Sequence, residues 1–133
     1  ILEHTSGRLK VAPEHTADSV LKLMAKPSFR LFERLRVEFD NIVRSSGRKC
    51  ELVPYFISGH PGCGMREMQR LARNPALKGL YMDQVQDFTP TPMTTSSVMF
   101  YTGLDPKNLD KVFVERDLER KKEQKSFFFR RGK

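Results

Sequence analysis

Three short runs of mainly apolar residues each end in a polar loop. Residues 52–57 pass directly into Ser58, Gly59, His60 and Pro61, whereas residues 9–12 and 83–88 pass into loops marked by proline and threonine. Helical patterns separate the runs, and alternating strands and helices are typical of α/β proteins with a parallel sheet. We therefore expect three parallel strands, with the three loops at one edge of the sheet, where they can share one ligand.

The connecting segments carry the 3.6-residue period of amphipathic helices. Thr16 is the predicted N-cap of the first helix. The side chains predicted to point inward from this helix are Val20, Leu23 and Met24. A second helix, capped by Ser28, is predicted to end at Gly47. Its apolar stripe comprises Phe32, Leu35, Phe39, Ile42 and Val43.

The second half of the chain predicts shorter elements. A third helix begins near Met65, and Asn74 followed by Pro75 is expected to end or kink it. Residues 97–101 fit a short helix, and residues 112–114 fit a brief edge strand. Residues 107–133 are predicted to form a separate, helical C-terminal extension.

Size and composition limit the possible classes of protein. With 133 residues, the chain has the length of one domain or less. Its longest apolar runs fall well short of the roughly 20 residues that a membrane helix needs, so no membrane association is expected. Two cysteines provide no disulfide framework, and we expect a cytoplasmic protein. The chain starts without Met, which suggests that it is cut from a longer protein.

The net charge of +8 raises the question of a nucleic-acid partner. Residues 107–133 hold ten Lys and Arg against five Asp and Glu. Residues 116–131 fit a solvated helix stabilised by ion pairs. The alternative is a basic RNA-binding or protein-interaction module without catalysis, in which lysine and arginine contact phosphates and residues 127–129, all phenylalanine, stack on bases.

A few side chains after the strands could carry chemistry. His15 and His60 both follow strands, and each is either a ligand contact or a structural hydrogen-bonding group. Cys63 is close to a helix N-terminus, a position that can lower the pKa of a thiol. Glu14 either accepts hydrogen bonds from a ribose hydroxyl or an ammonium group, or caps the following helix. No phosphate-binding glycine motif, zinc-ligand spacing or Ser-His-Asp grouping occurs in the sequence.

Three strings carry a family resemblance: LKVAPEHTADSVLKLMAKP (9–27), VPYFISGHPG (53–62) and QVQDFTPTPMTTSSVMFYTGLDP (84–106). They resemble the later part of the radical SAM barrel of YgiQ-type proteins, which are bacterial and archaeal proteins of undefined reaction. The resemblance implies a longer parent whose earlier barrel half carries a CxxxCxxC motif. In that parent, the motif would hold a 4Fe-4S cluster that binds S-adenosylmethionine. That motif is absent from this sequence.

The resemblance also implies which residues face S-adenosylmethionine. FISGHPG matches the fifth-strand motif of the superfamily, in which an apolar residue and a glycine border the adenine. Here those residues would be Ile57 and Gly59, with Ser58 and His60 in the same motif. Related enzymes often have Glu-Thr after Pro-Gly, whereas this chain has Cys63-Gly64, so the resemblance assigns no side-chain role there.

Two further segments complete the implied cofactor site. VAPEH matches the fourth strand, which usually supplies polar contacts to the ribose or methionine part, making Lys10, Glu14 and His15 candidates. DFTPTPMT matches the end of the sixth strand, which contributes backbone contacts to adenine. Phe88 and Thr89 are the candidates there.

Together these observations predict an α/β fragment. Residues 1–106 would form the C-terminal half of a radical SAM (β/α) barrel, and residues 107–133 a basic extension. The full-length parent would be a radical SAM enzyme of unknown reaction and substrate, using S-adenosylmethionine and a 4Fe-4S cluster. Alone, the chain is expected to be inactive and to bind neither cofactor stably. Its expected partner is the missing N-terminal part of its own parent chain.

Overall fold

The computed structural model describes residues 7–82 and 84–129. In chain order the elements are β1 (Arg8–Glu14), α1 (Asp18–Leu23), α2 (Arg30–Ser46), β2 (Glu51–Ser58), α3 (Met65–Ala72), a 3₁₀ turn (Pro75–Leu77), β3 (Val85–Asp87), α4 (Thr95–Thr102) and α5 (Leu118–Phe129).

The three strands form one parallel sheet in the order β1-β2-β3. β2 is central, with Leu52 beside Leu9 of β1 and Phe56 beside Val85 of β3. Each parallel connection crosses over through helices, as this strand direction requires. The α/β class, the three parallel strands and the C-terminal helix predicted from the sequence are confirmed.

One face of the sheet is covered by helices. Phe56 is fully buried there, and its ring centroid lies 5.8 Å from that of Phe128 in α5. The core cluster combines β2 with side chains from four helices: Val20, Leu21, Phe32, Phe39, Met68, Leu71 and Phe128. The sequence predicted α5 as part of an extension, and in the structure its Phe128 belongs to this core.

The opposite face of the sheet is more open. Side chains alternate between faces along a strand, so Tyr55 and Ile57 point away from the Phe56 side. Tyr55 Oη donates a hydrogen bond to Gln86 Oε1 over 2.8 Å, which places Gln86 of β3 on this face as well. Lys10 and Ala12 of β1 are exposed.

Helix α2 ends at Gly47 in a left-handed conformation, as predicted, because a residue without Cβ adopts it at little cost. Asn74 stands directly before the 3₁₀ turn, and its side chain accepts a hydrogen bond from the Ala76 amide. The predicted end of the third helix is therefore confirmed.

Several local predictions are wrong. Ala17, not Thr16, is the N-cap of α1, and the His15 ring accepts the hydrogen bond from the Ala17 amide. Leu21 is more deeply buried than the predicted Leu23, and Ile42 is exposed, although the neighbouring Val43 packs against the core.

Residues 112–114 form no strand. Their neighbour Lys111 makes an isolated antiparallel bridge to Leu104 instead, and the Val112 amide donates to the Gly103 carbonyl. The apolar residues of this segment therefore lie in a loop, in which Val112 and Val114 are half-buried and Phe113 is exposed.

Candidate functional site

A cleft of about 340 Å³ opens where the carboxyl ends of the strands meet the following loops. This is the edge at which parallel α/β sheets bind ligands, and the volume lies within the usual range for small-molecule sites. The residues lining it are Glu14, Met24, Lys26, Ile57, His60, Gln86, Asp87, Phe88, Thr89, Thr91, Thr94 and Ser96.

Glu14 ends β1 in an uncommon conformation. Its φ is +65°, and the pairing of β1 with β2 shifts register between Val11 and Glu14. A non-glycine residue in this left-handed region carries backbone strain, which tends to be found at functional sites. The bend replaces the regular end of the strand and leaves the carboxylate at the cleft.

The two carboxylate oxygens of Glu14 differ. Oε1 lies 3.2 Å from Lys26 Nζ, whereas Oε2 is buried and has no hydrogen-bond partner within the described residues. An ionised oxygen removed from water without a donor costs free energy. A ligand hydroxyl or ammonium group in the cleft would supply that donor. The alternative interpretation of Glu14 as a helix cap is wrong, because its carboxylate forms an ion pair with Lys26 instead.

His60 follows β2 and is held by two polar contacts. Its Nδ1 lies 2.8 Å from the Pro61 carbonyl oxygen, and its Nε2 lies 2.8 Å from Ser96 Oγ at the start of α4. The edge of the Phe88 ring packs against the imidazole, with 5.0 Å between centroids. Burial lowers the pKa of His60 below its ordinary value, opposed by the hydrogen bond to Pro61.

Asp87 ties the end of β3 to two other elements. Ser58 Oγ of β2 donates to Asp87 Oδ1 over 2.6 Å, and Lys125 Nζ of α5 lies 3.2 Å from Oδ2. The candidate Ser58 is thus buried and turned toward β3, where it supports the cleft wall.

His15 lies beneath the cleft in a buried polar network. Its Nδ1 accepts from the Ala17 amide over 2.9 Å, so in the neutral ring the proton resides on Nε2, which points to Cys63 Sγ at 3.4 Å. The thiol in turn lies 3.9 Å from Gln124 Oε1 of α5. This network joins two strand-end loops to the C-terminal helix.

Burial dominates the acid-base behaviour of this network. Desolvation, with a smaller contribution from the charge of His60, lowers the pKa of His15 to about 4. Desolvation raises the pKa of the Cys63 thiol to about 12. The expectation of a lowered thiol pKa is therefore wrong, because the thiol is enclosed and its burial outweighs any effect of the nearby helix N-terminus.

The structure brings five of the nine predicted site residues to the cleft wall: Glu14, Ile57, His60, Phe88 and Thr89. Lys10 lies on the open face of β1, and His15 and Ser58 are buried behind the wall.

Gly59 has a φ of +67°, and a Cβ built there would lie 3.7 Å from Lys121 Cγ of α5. The glycine is thus explained by its left-handed turn, and a side chain there would point toward α5. A backbone contact from Gly59 to a ligand stays a prediction.

Six polar residues of the cleft were not predicted from the sequence: Lys26, Gln86, Asp87, Thr91, Thr94 and Ser96. Two of them contact predicted site residues, Lys26 through Glu14 and Ser96 through His60. Lys26 follows α1 in a loop that the pattern marks only as an interruption between helices. Ser96 lies in the first turn of α4, and that position could have been found from the capping residue Thr94, whose Oγ1 accepts from the Ser97 amide.

Several basic residues of the C-terminal segment make contacts with other residues of the same chain. Lys121 Nζ lies 4.7 Å from the centroid of the Phe100 ring, Lys122 pairs with Glu119, and Arg116 donates to the Phe100 carbonyl. Of the three adjacent phenylalanines, Phe128 is buried in the core and Phe129 is exposed. RNA binding by this segment stays a prediction.

The described part of the chain contains neither a membrane-spanning helix nor a metal-binding cluster of side chains. No helix there is long and apolar enough to cross a membrane. Residues 7–82 and 84–129 also contain no group of three or more His, Cys, Asp or Glu side chains placed to hold a metal ion.

Comparison with known proteins gives a consistent result. The family described as "Domain of unknown function (DUF3362)" matches residues 83–131, a range that runs across the predicted boundary at residue 106. That boundary stays a prediction. No solved structure matches the chain.

Curated relatives match almost the whole chain. It is 48% identical over 129 residues to a UPF0313 protein of Bacteroides thetaiotaomicron and 47% identical to one of Porphyromonas gingivalis. A UPF0313 protein of the archaeon Methanosarcina acetivorans is 42% identical. Each alignment covers 97% of this chain but only 17–21% of the relative. The chain is therefore similar, over nearly all of its length, to about one fifth of the length of the UPF0313 proteins, the YgiQ-type proteins that its sequence resembles.

Proposed function

We propose that this chain is a segment of a YgiQ-type radical SAM enzyme and supplies part of its S-adenosylmethionine-binding face. The observation that carries the proposal is the buried oxygen of Glu14 at the cleft, which has no hydrogen-bond partner in the described part of the chain. The near-complete match to a short segment of UPF0313 proteins supports the same reading.

The residues of the cleft fit the chemistry of S-adenosylmethionine. Among residues 7–82 and 84–129, Glu14 Oε2 is an acceptor without a donor, and a ribose hydroxyl or the ammonium group would provide one. Ile57 offers an apolar contact for a base, and Phe88 lies beside it on the cleft wall. Lys26 holds the second oxygen of Glu14, which fixes the direction of the carboxylate.

The sequence has two cysteines and no CxxxCxxC motif, so the 4Fe-4S cluster is proposed to be bound by another part of the longer protein. Held at such a cluster, S-adenosylmethionine would supply the radical chemistry of the enzyme. The role of this chain is to bind and orient the cofactor and to exclude water from the cleft.

The proposal is tested in a longer protein in which this chain replaces the matching segment of the Bacteroides thetaiotaomicron UPF0313 protein. After reconstitution with iron and sulfide, we expect dithionite to produce 5′-deoxyadenosine from S-adenosylmethionine. The unmodified relative serves as the control for correct assembly. If both proteins carry the cluster and neither forms 5′-deoxyadenosine, the proposal is wrong.

A further inference from the structure

The contact between His60 and Ser96 pairs an imidazole that accepts a proton with a hydroxyl that donates one. A carbonyl oxygen can only accept a hydrogen bond, so the contact between His60 Nδ1 and the Pro61 carbonyl places the ring proton on Nδ1. Nε2 then carries a lone pair. Ser96 Oγ, 2.8 Å away, must donate its proton to that lone pair.

The imidazole is fixed in this orientation. His60 is only 2% exposed, and the Phe88 ring packs edge-on against it. Because burial lowers its pKa, the ring is mainly neutral at neutral pH, and the neutral form is the one that accepts a proton. The Pro61 carbonyl takes the position that a carboxylate takes in a Ser-His-Asp triad, which orients the base but stabilises the imidazolium less.

The hydroxyl is within reach of a ligand. Ser96 is half-buried, and both Ser96 and His60 line the cleft. Ser96 is the second residue of α4, which begins at Thr95. The Ser97 and Val98 amides donate to the capping residue Thr94. The amides of Thr95 and Ser96, at the first two positions of the helix, have no intrahelical acceptor and are the nearest backbone donors to the Ser96 hydroxyl.

We propose that Ser96 is a nucleophile and His60 its general base, acting on a carboxylic ester or similarly activated acyl group that enters the cleft. Ser96 Oγ attacks the carbonyl carbon while its proton passes to His60 Nε2. The carbon–oxygen bond to the leaving alcohol breaks, and that alcohol takes the proton from His60. Water, deprotonated by His60, then hydrolyses the acyl-serine, releases the acid and restores the hydroxyl.

This activity needs neither S-adenosylmethionine nor a cluster, so it can be tested on the chain alone. The probe is an alkyl fluorophosphonate, whose phosphorus is attacked by an activated serine with loss of fluoride. We expect intact-mass spectrometry to show one adduct and peptide mapping to place it on Ser96. Ser97, which donates to the Thr91 carbonyl and has no imidazole partner, is an internal control that stays unlabelled.

Variants sharpen the test. Ser96→Ala is expected to abolish labelling, and His60→Gln to slow it at least about 100-fold, the lower end for a general base. Ser45→Ala, at an exposed serine of α2, is expected to label like the native chain. Circular dichroism confirms that each variant is folded.

A comparison within the native chain covers the case in which His60→Gln does not fold. The native protein should label at least about 10-fold faster than the same protein unfolded in urea, because only the fold brings His60 to Ser96. A native chain that does not label, labels on several serines, or labels no faster than the unfolded chain would overturn the proposal. So would a folded His60→Gln variant that labels at the native rate, since the hydrogen bond would then be structural only.

Discussion

On the helix-covered face of β2, Phe56 packs against Phe128, and the surrounding cluster is almost wholly apolar. Two residues further along the same strand, Ser58 donates to Asp87, and the chain then turns through a left-handed glycine into the cleft. The first region is held together by apolar packing. The second holds a strained backbone, neutral buried histidines and a carboxylate oxygen to which no described residue donates. The contrast indicates that the first region stabilises the fold, while the second is suited to binding a ligand.

The largest expected effect is a loss of stability on truncating Phe128, and the neighbouring Phe129 of α5 provides the comparison. Phe128→Ala should lower the free energy of unfolding by about 3–5 kcal/mol, because it removes a buried ring and leaves a cavity beside Phe56. Phe129→Ala, at a ring that is 57% exposed, should cost less than about 1 kcal/mol. Urea unfolding measures both, and equal losses would mean that α5 does not dock as described.

Lowering the pH should destabilise the fold through the strand-end loops. The pKa of His15 is about 4 in the folded state and 6.5 in its unperturbed state, so the unfolded chain binds the proton first as the pH falls. Stability from the neutral ring is therefore fully present above pH 6.5 and is lost as the pH falls to about 4, by about 3 kcal/mol. His60, whose pKa is also lowered, adds to the loss in the same direction.

The measurement is urea unfolding at a series of pH values, comparing the native chain with His15→Gln. Cys63 also contacts His15 but stays protonated throughout this range, because its pKa is about 12. The variant should be less stable at pH 7 and show a shallower decline toward pH 4. Parallel curves would show that His15 is not the buried group that titrates.

A smaller effect is expected where the backbone turns into the cleft. Gly59→Ala should cost about 1–2 kcal/mol, because φ is +67° and an L-residue adopts this region only with strain. The Cβ itself would meet Lys121 at an ordinary contact distance, so no clash adds to the cost. Gly59→Asn, a residue that tolerates this conformation better, should lose less in thermal unfolding. The reverse order would argue against a conformational cause.

The smallest effect is expected at the start of the sheet. Arg8 and Glu51 form an ion pair in which both side chains are more than half exposed, and such pairs contribute about 0–1 kcal/mol. Glu51→Gln should therefore change stability by less than about 1 kcal/mol in low-salt urea unfolding. A larger loss would mean that the amino end of the sheet depends on this pair.

Periodicity and turn residues were sufficient to predict the elements that depend on local sequence. The three strands, the left-handed end of α2 at Gly47 and the end of α3 before Pro75 all follow from residue type and spacing. The position of the three loops at one edge also followed, because parallel strands joined by crossover helices all end at the same edge of the sheet.

What the sequence could not provide depends on contacts between distant residues. The pKa of Cys63 is set by its burial. The residues that it contacts there, His15 and Gln124, lie near opposite ends of the sequence. Lys26 reaches the cleft only because α1 folds back toward Glu14. Ser96 is recognised as a candidate only through its contact with His60, 36 residues earlier. None of these pairings leaves a periodic signal.

The most direct test of the central claim is the affinity for S-adenosylmethionine of the reconstituted longer protein, measured by calorimetry with and without Glu14→Gln. The carboxylate accepts from the ligand as a charged group, so we expect the substitution to weaken binding about 10–100-fold. Glu51→Gln, far from the cleft, should bind like the parent protein. Equal affinity for the parent and Glu14→Gln, with the cluster intact in both, would contradict the assignment of this cleft.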